Sequence, residues 1–274
     1  MEPSVCLTLD LEADYGGRLD PTYAAWNEAG VDRLLELLGG FGARLTVFAV
    51  GESLTARPAV IERFLKAGAE FHLHSHTHSL SAPDSLEEIQ RGAAAFAEVL
   101  GRRPRGYRAP EGRISPAGWA RLEAEGFEFD SSVFPSFWPA PRYVLYRPRP
   151  FRPKGRRLWE LPISTLSPLR FIVSLSFMKL LGWGFYETLL ENASWPEPLV
   201  FDMHLHDVFA PESYARLGGV WRTIYRHHRH DGMAILTSFL GLLSRRNARF
   251  RTLGAIASEL APGLATGDCR AVAP

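Results

Sequence analysis

The chain has 274 residues, 46% of them hydrophobic, and its 31 basic and 30 acidic side chains give a formal net charge of +1. This length and apolar content allow a sizeable α/β domain, and the near-neutral charge argues against a general nucleic-acid-binding protein. Two cysteines, Cys6 and Cys269, provide no disulfide framework and are typical of a reducing compartment. No apolar signal segment precedes the first strand, so the expected location is cytoplasmic.

Short apolar strands alternate with helical patterns along the first half of the chain, as in a parallel α/β fold. Proline at 58 and the pair Ser115-Pro116 mark two of the helix starts. The predicted elements are a strand from about residue 4, a helix at 31–38, a strand at 44–50, a helix at 58–67, a strand at 70–73, a helix at 84–100, a strand at 105–109, a helix at 115–125 and a strand at 127–130.

The second half of the chain is less regular. Residues 135–157, rich in proline and arginine, are predicted to form an irregular basic insertion. The later predictions are a strand at 158–162, an apolar region at 166–190, a strand from 199 to 204 or beyond, and helices near 220–229 and 233–244. Residues 1–260 are expected to form one domain, and 261–274, rich in Ala, Gly and Pro, a flexible tail.

Four of the nine histidines alternate along residues 72–78. Imidazole is the commonest side-chain ligand of zinc and similar metals. On a continuing strand, His74 and His78 would be separated by roughly 13 Å, whereas side chains four apart on a helical turn are about 5–6 Å apart. We therefore predict a turn after Leu73 that presents His74 and His78 together as metal ligands, while His72 and His76 point elsewhere. A histidine cluster without a metal is the alternative.

Three acids, Asp10, Glu12 and Asp14, stand at the end of the first predicted strand. Carboxylates at strand exits of α/β folds commonly bind metals or transfer protons. Each acid alone could equally cap a helix or be a solvated loop charge. Together with the histidines, they point to one site with two halves.

Five motifs in order resemble the polysaccharide deacetylases with the NodB homology domain, also called carbohydrate esterase family 4. The matching stretches are LTLDLEAD at 7–14, GAEFHLHSHTH at 68–78, YRAPEG at 107–112, GFEFDSSVFP at 126–135 and LHD at 205–207. They span about residues 4–210, most of the chain. The resemblance implies a distorted (β/α) barrel with seven strands. It also implies a metal-dependent hydrolase that removes an N-acetyl group from an amino sugar in a polysaccharide or glycan precursor.

The same resemblance implies the metal ligands. A divalent ion, most often zinc in such enzymes, would be held by His74, His78 and one acid. Leu11 stands where the family usually has a second aspartate, so Glu12 is the expected third ligand and Asp14 the alternative.

Catalytic roles follow from the resemblance as well. Asp10 would be the general base that takes a proton from the attacking water, and Arg108 would hold its carboxylate ionised. A surface salt bridge is the plain alternative for Arg108. His206 is the expected general acid, and His204, two residues earlier and expected on the same strand face, competes with it.

Four residues are candidates for substrate binding. Glu111 stands where the family often has tyrosine, and the main-chain N–H at that position would help to stabilise the oxyanion. Trp159 could stack on a sugar ring or pack in the core. The candidates are Pro110, Glu111, Trp159 and Leu205.

Seven basic residues and no acid occur between Asp130 and Glu160, and an apolar run at 166–181 follows. Such a pair of segments would suit a phosphate-bearing, lipid-linked sugar and peripheral contact with the membrane; a solvated loop beside barrel helices is the alternative. Because Pro168, Arg170 and Lys179 interrupt the run, a transmembrane span is not expected. The sequence indicates no obligate protein partner.

Three functional hypotheses remain open. The first is the metal-dependent deacetylase, with a deformylase of lipid-linked amino sugars as a close variant. The second is a metal-free amidohydrolase of small cyclic ureides, whose members tend to lose the acid and histidine ligands that this chain retains. The third is a non-catalytic carbohydrate-binding protein.

Overall fold

The computed structural model describes residues 2–12, 28–137, 143–209 and 232–260, together with Gly219 and Thr223. Its strands are β1 (Ser4–Leu11), β2 (Leu45–Ala49), β3 (Glu70–Leu73), β4 (Gly106–Tyr107), β5 (Phe129–Asp130), β6 (Trp159–Glu160), β7 (Thr165–Leu166), β8 (Phe171–Ile172), β9 (Leu199–His204) and β10 (Arg249–Phe250). Its helices are α1 (Glu28–Gly40), α2 (Gly51–Ala56), α3 (Pro58–Lys66), α4 (Leu86–Leu100), α5 (Pro116–Ala124), α6 (Leu175–Leu181), α7 (Trp183–Asn192), α8 (Leu205–Val208), α9 (Gly232–Arg245) and α10 (Leu253–Leu260), and a short 3-10 turn covers Pro110–Gly112.

One curled parallel sheet forms the centre of the fold. Its strands run in the order β10-β1-β2-β3-β4-β5-β6, and β9 also pairs with β1. Without the two-residue β10, seven parallel strands form the curled sheet, so the predicted distorted (β/α) barrel is confirmed. The register sets Asp10 of β1 beside Phe48 of β2 and His204 of β9.

Alternation along β1 separates two environments. Val5, Leu7, Leu9 and Leu11 belong to the large apolar cluster that β1 shares with α1, α3 and α9. The intervening side chains point to the other face of the strand, as the period of two requires. On that face Cys6 packs with Phe48, Phe129 and Val200 of three other strands and with Leu161, which directly follows β6.

Helix α10 packs at the amino end of the barrel. Its Leu253, Ile256 and Ala257 lie in the same apolar cluster as Cys6, near the start of β1. The amino end of the barrel interior is therefore filled largely with apolar side chains. The carboxyl end of the strands is where (β/α) barrels commonly carry their sites.

Most of the predicted elements occur within one to three residues of their predicted bounds. Helices α2 and α10 and strand β10 were not predicted, the region predicted only as apolar contains β8, α6 and α7 with β7 at its start, and α8 begins where the last predicted strand was expected to continue. The predicted helix at 220–229 and the tail at 261–274 fall outside the described residues, apart from Thr223. In the part of the chain that the structure describes, no helix has both the length and the apolar character needed to cross a bilayer.

Candidate active site

Two acids lie at the carboxyl end of β1. Asp10 occupies an inward position of the strand and Glu12 follows immediately after it, and both are buried, with 5% and 7% of their surfaces exposed. Because successive side chains alternate across a strand, residues two apart point to the same side. The D-x-E spacing therefore brings both carboxylates to the mouth of the barrel.

The histidine run turns as predicted. Strand β3 ends at Leu73, and Ser75 and His78 adopt φ values of 59° and 60°. These left-handed conformations end the extended chain and bring the imidazole centroids of His74 and His78 to 5.1 Å from each other. His72 points toward the amino end instead, where its Nδ1 accepts a hydrogen bond from the main-chain N–H of Gly106.

Glu12, His74 and His78 form a compact group of metal-type ligands. Glu12 Oε2 lies 2.5 Å from His78 Nε2 and 3.6 Å from His74 Nε2, and one ligand atom from each residue falls within 4.8 Å of the others. Ligands about 2.1 Å from one tetrahedral ion would lie about 3.4 Å apart. His74 Nδ1 lies 2.8 Å from the carbonyl oxygen of Arg108. Because Nδ1 donates its proton to this carbonyl, Nε2 is left as the ligand atom. Metal-binding histidines commonly donate their other ring N–H in this way.

The carboxylate of Glu12 is held in its ionised form by these histidines. Burial raises the pKa of Glu12, but the charge of His78 and hydrogen bonds from His74 and His78 outweigh burial and hold the pKa well below its usual range. An ionised carboxylate and two imidazoles are a donor set that suits zinc. Asp14, the alternative ligand, lies outside the described residues.

Arg108 is buried, with 1% of its surface exposed, so it does not form the surface salt bridge considered as the alternative. Its Nη1 lies 2.7 Å from Asp10 Oδ1, 2.7 Å from Asp202 Oδ1 and 2.9 Å from Thr8 Oγ1. Its Nε donates to the carbonyl of Ser131 at 2.9 Å. The guanidinium is thus fixed between two carboxylates, with its position set by neutral hydrogen-bond partners.

Asp202 is a site residue that the sequence reasoning missed. It lies on β9, and burial together with the charge of Asp10 raises its pKa to about 7. It stands two residues before His204, so strand alternation would have placed both side chains on one face. That spacing was the available signal.

His204 and His206 occupy different elements, contrary to the expectation that they share a strand face. Strand β9 ends at His204 and α8 begins at Leu205, so His206 lies on a helix. The two rings nevertheless stack, with centroids 4.6 Å apart. His204 Nε2 lies 3.9 Å from both Asp10 Oδ2 and Glu12 Oε1, and His206 offers a ligand atom to the group that it forms with Glu12 and His204.

The two imidazoles differ in protonation. Burial lowers the pKa of His204, but the hydrogen bond to Asp207 and nearby carboxylates outweigh burial and raise the pKa well above its usual range. Burial lowers the pKa of His206 to about 3. At neutral pH His204 therefore carries a proton that it can donate, and His206 is neutral.

The candidate substrate-binding residues are spread over several environments. Glu111 has a left-handed φ of 49° and pairs with Arg113 at 2.7 Å, and Pro110 beside it is buried. Leu205 is buried in the large apolar cluster. Trp159 packs against the apolar cluster at the amino end of the barrel, and Arg152 lies over its ring at 4.6 Å. This placement supports packing of Trp159 rather than stacking on a sugar.

Residues 2–129 match the family model described as polysaccharide deacetylase. Over 110 residues the chain is 34% identical to peptidoglycan deacetylase-like protein FGM2 of Gibberella zeae, which covers 38% of this chain and 32% of that protein. It is 26% identical over 110 residues to the peptidoglycan deacetylase of Helicobacter pylori, an alignment that covers 39% of this chain and 38% of that protein. The alignments thus span about a third of the length of these curated relatives.

Solved structures share the fold across nearly the whole chain. A Mycobacterium smegmatis protein described in the same family terms superposes with a TM-score of 0.64 at 20% identity, covering 97% of this chain and 95% of that one. A family 4 carbohydrate esterase from Streptomyces lividans superposes with a TM-score of 0.53 at 14% identity, covering 92% of this chain and 93% of that one. A Bacillus anthracis pseudoenzyme of the same family superposes with a TM-score of 0.54 at 12% identity, covering 93% of this chain and 66% of that one. At these identities the likeness establishes the fold, and the site residues must carry the argument for activity.

Proposed function

We propose, from the match of residues 2–129 to the polysaccharide deacetylase family model, that the chain is a metal-dependent hydrolase of an N-acetylated amino sugar. The observation that carries the proposal is the convergence at one barrel mouth of a metal-type ligand group, Glu12, His74 and His78, with Asp10 held by Arg108. The names of the two curated relatives suggest peptidoglycan or a similar glycan as the substrate class.

The donor set of Glu12, His74 and His78 fits a divalent ion such as zinc. When bound, such an ion would polarise the amide carbonyl and make a water molecule a stronger nucleophile at neutral pH. The side chains supply the remaining chemistry. Asp10, kept beside the Arg108 guanidinium at 2.7 Å, accepts the proton of the attacking water.

The departing amine needs a proton, and His204 is better placed to donate it than the predicted His206. Its Nε2 faces Asp10 and Glu12 at 3.9 Å, and its raised pKa keeps it protonated. His206 has the opposite pKa shift and stacks behind His204. We therefore assign His204 as the general acid and His206 as a supporting residue.

Metal analysis combined with acetate release from N-acetylated oligosaccharides tests the proposal. The wild type should bind about one equivalent of zinc and release acetate. Asp10→Asn should keep the metal and lose activity by on the order of 100-fold or more, whereas His78→Ala should lose both. His76→Ala is the matched control, since His76 lies in the same turn outside the ligand group. Retention of metal and activity in His78→Ala would contradict the proposal.

The two other hypotheses predict different outcomes in the same assay. A metal-free ureide hydrolase would bind no zinc and release no acetate with or without His78→Ala, and a carbohydrate-binding protein would bind oligosaccharide without releasing acetate. The retained group of Glu12, His74 and His78 favours the metal-dependent hydrolase over both.

A lipid-linked amino sugar is a second candidate substrate, favoured by one observation. Leu169 and Leu181 have 66% and 42% of their surfaces exposed, and the exposed Arg149 and Lys154 belong to the preceding basic segment. Apolar and basic side chains together suit an anionic membrane surface. Cosedimentation with anionic liposomes at low salt, comparing wild type with Leu169→Ser, tests this variant; absence of binding would remove it.

A further inference from the structure

The orientation of His204 depends on Asp207. The carboxylate is fully buried, and its Oδ2 accepts hydrogen bonds from His204 Nδ1 at 2.9 Å and from the His204 main-chain N–H at 3.2 Å. With Nδ1 bound in this way, Nε2 is the atom that faces Asp10 and Glu12. Whatever fixes the carboxylate of Asp207 therefore fixes the direction of the proton that His204 donates.

Helix α6 contributes two polar side chains to Asp207. Ser176 Oγ donates to Asp207 Oδ2 at 2.7 Å, the same oxygen that His204 uses. Lys179 Nζ donates to the main-chain carbonyl of Asp207 at 2.9 Å. Residues three apart lie on the same side of a helix, so α6 presents both groups to α8 as one unit.

Lys179 is unusual for a helix that packs in the core. Only 2% of its surface is exposed, and lysine is almost never fully buried unless it is paired. The neighbouring Leu175 and Met178 satisfy the apolar packing of α6. Burial of an ammonium group at 179 thus adds nothing to packing that an apolar residue would not supply, and its Nζ is directed to the Asp207 carbonyl.

The start of α6 is anchored to the same strand that carries His204. Ser174 caps the helix by accepting from the Phe177 N–H, and it forms a parallel bridge with Asp202 of β9. The Asp202 N–H donates to the main-chain carbonyl of Val173 at 3.2 Å. The start of α6 is therefore attached to Asp202, before His204 in the chain, and its side is attached to Asp207, after His204.

We propose that Ser176 and Lys179 are positioning residues that hold Asp207, and through it His204, in the orientation required for proton donation. The proposal rests on the proposed hydrolase activity for its kinetic consequences. It assigns a role at the site to the apolar segment 166–181, which the sequence offered as a membrane contact. Their hydrogen bonds to Asp207 are the contacts on which this role depends.

The decisive variants are Ser176→Ala and Ser176→Thr. Removal of the hydroxyl should lower kcat on the order of 10-fold with little change in KM, because an outer partner of a site residue is lost while substrate contacts remain. Ser176→Thr keeps the hydroxyl and should restore kcat. Metal content should stay at the wild-type level in both variants.

Ser164→Ala is the matched control. Ser164 is a buried serine whose Oγ accepts from the Val200 N–H at 2.8 Å, near the other end of β9. The variant removes a serine hydroxyl that bonds to the start of β9, whereas His204 lies at its end. A loss of stability without a fall in kcat is expected for this variant. An equal fall in kcat for Ser164→Ala and Ser176→Ala would overturn the positioning role.

Lys179→Met and Lys179→Gln test the second contact. Methionine keeps the length of the side chain without a donor, and glutamine keeps an N–H donor for the Asp207 carbonyl. Lower kcat for Lys179→Met with recovery in Lys179→Gln supports positioning. Equal kcat in both variants and the wild type would overturn the role of Lys179, and if the methionine variant fails to fold, the Ser176 pair still decides the proposal.

Imidazole NMR separates this proposal from the proposed function. The hydrogen-bonded Nδ1 proton of His204, assigned by its loss in His204→Gln, should shift or broaden in Ser176→Ala and return in Ser176→Thr. If the wild type releases no acetate but this signal responds as described, the proposed function fails and the positioning role stands. If the signal and kcat of Ser176→Ala both equal those of the wild type, the positioning role is wrong.

Discussion

At the scale of single residues, the centre of the site is the guanidinium of Arg108. A buried arginine between two carboxylates is tolerated because each charge has a partner. Asp10 and Asp202 each lie 2.7 Å from the same Nη1 atom. Removal of the cation would leave two buried acids facing each other, with no compensating charge from that side.

Arg108→Met should therefore destabilise the protein strongly, by about 3–5 kcal/mol, the cost typical of breaking a buried ion pair. Urea unfolding of the metal-free protein measures this loss. The double variant Arg108→Met/Asp202→Asn should recover part of it, since one unpaired carboxylate is gone. Arg105→Met is the matched control, because its ion pair with Glu128 is exposed and should be worth at most about 1 kcal/mol. Equal losses at positions 105 and 108 would contradict this interpretation.

Glu12 is the residue whose role the sequence left most open. Glu12→Gln keeps the shape of the side chain but removes the charge, and zinc affinity should fall by at least about 100-fold. Equilibrium dialysis against a competing chelator measures the change. Glu111→Gln is the control, since that carboxylate pairs with Arg113. Wild-type affinity in Glu12→Gln would reject Glu12 as the ligand and direct attention to Asp14.

At the scale of secondary-structure elements, α10 is attached to the amino end of the barrel by a carboxylate. Glu70 Oε2 accepts from the Gly254 N–H at 2.9 Å and lies 3.2 Å from His72 Nε2. A Cβ atom at position 254 would come within 2.2 Å of Glu70 Oε1. The first turn of α10 therefore packs directly on this acid, and only glycine leaves room for it.

The attachment of α10 should depend on pH. Burial raises the pKa of Glu70, but the hydrogen bonds that the carboxylate accepts from His72 and from the Gly254 N–H outweigh burial and lower the pKa to about 2. A glutamate in the unfolded chain has a pKa of about 4.3. The Glu70 carboxylate therefore stabilises the fold fully above that pH, and the stabilisation is lost as pH falls toward 2. The difference in unfolding free energy between wild type and Glu70→Gln should be largest above about pH 5 and shrink toward pH 3. A constant difference across this range would contradict the prediction, and the exposed Glu52→Gln serves as control.

Sequence patterns predicted those elements whose local signals agree with the fold. The pair Ser115-Pro116 does begin α5, with the Ser115 hydroxyl accepting from the Gly118 N–H, and the histidine turn followed from ligand geometry alone. Helix α10 was missed because its eight residues are stable only as a cover for the barrel end, a tertiary effect. His206 was expected on a strand because nothing local shows that β9 ends at His204. The two-residue spacing places Asp202 on the face of His204, but its position beside Asp10 and Arg108 depends on the register of β1 and β9.

At the scale of the whole molecule, the proposed metal would link distant parts of the chain. Its candidate ligands come from the ends of β1 and β3, which are joined through β2 in the sheet. The ligand atoms converge only when these strands are in register. An ion that binds the folded state alone therefore stabilises the whole domain.

Chelation should accordingly lower the melting temperature. At a free metal concentration 100 times the Kd, binding contributes about 2.7 kcal/mol, which for a chain of this size corresponds to about 5–10 °C in Tm. Calorimetry with and without EDTA should show this difference for the wild type and for His76→Ala, whose changed residue lies outside the ligand group. His78→Ala should melt at one temperature under both conditions. An equal response to EDTA in His78→Ala would mean that the stabilising ion is held elsewhere, and the absence of a response in the wild type would remove the metal from the folded state altogether.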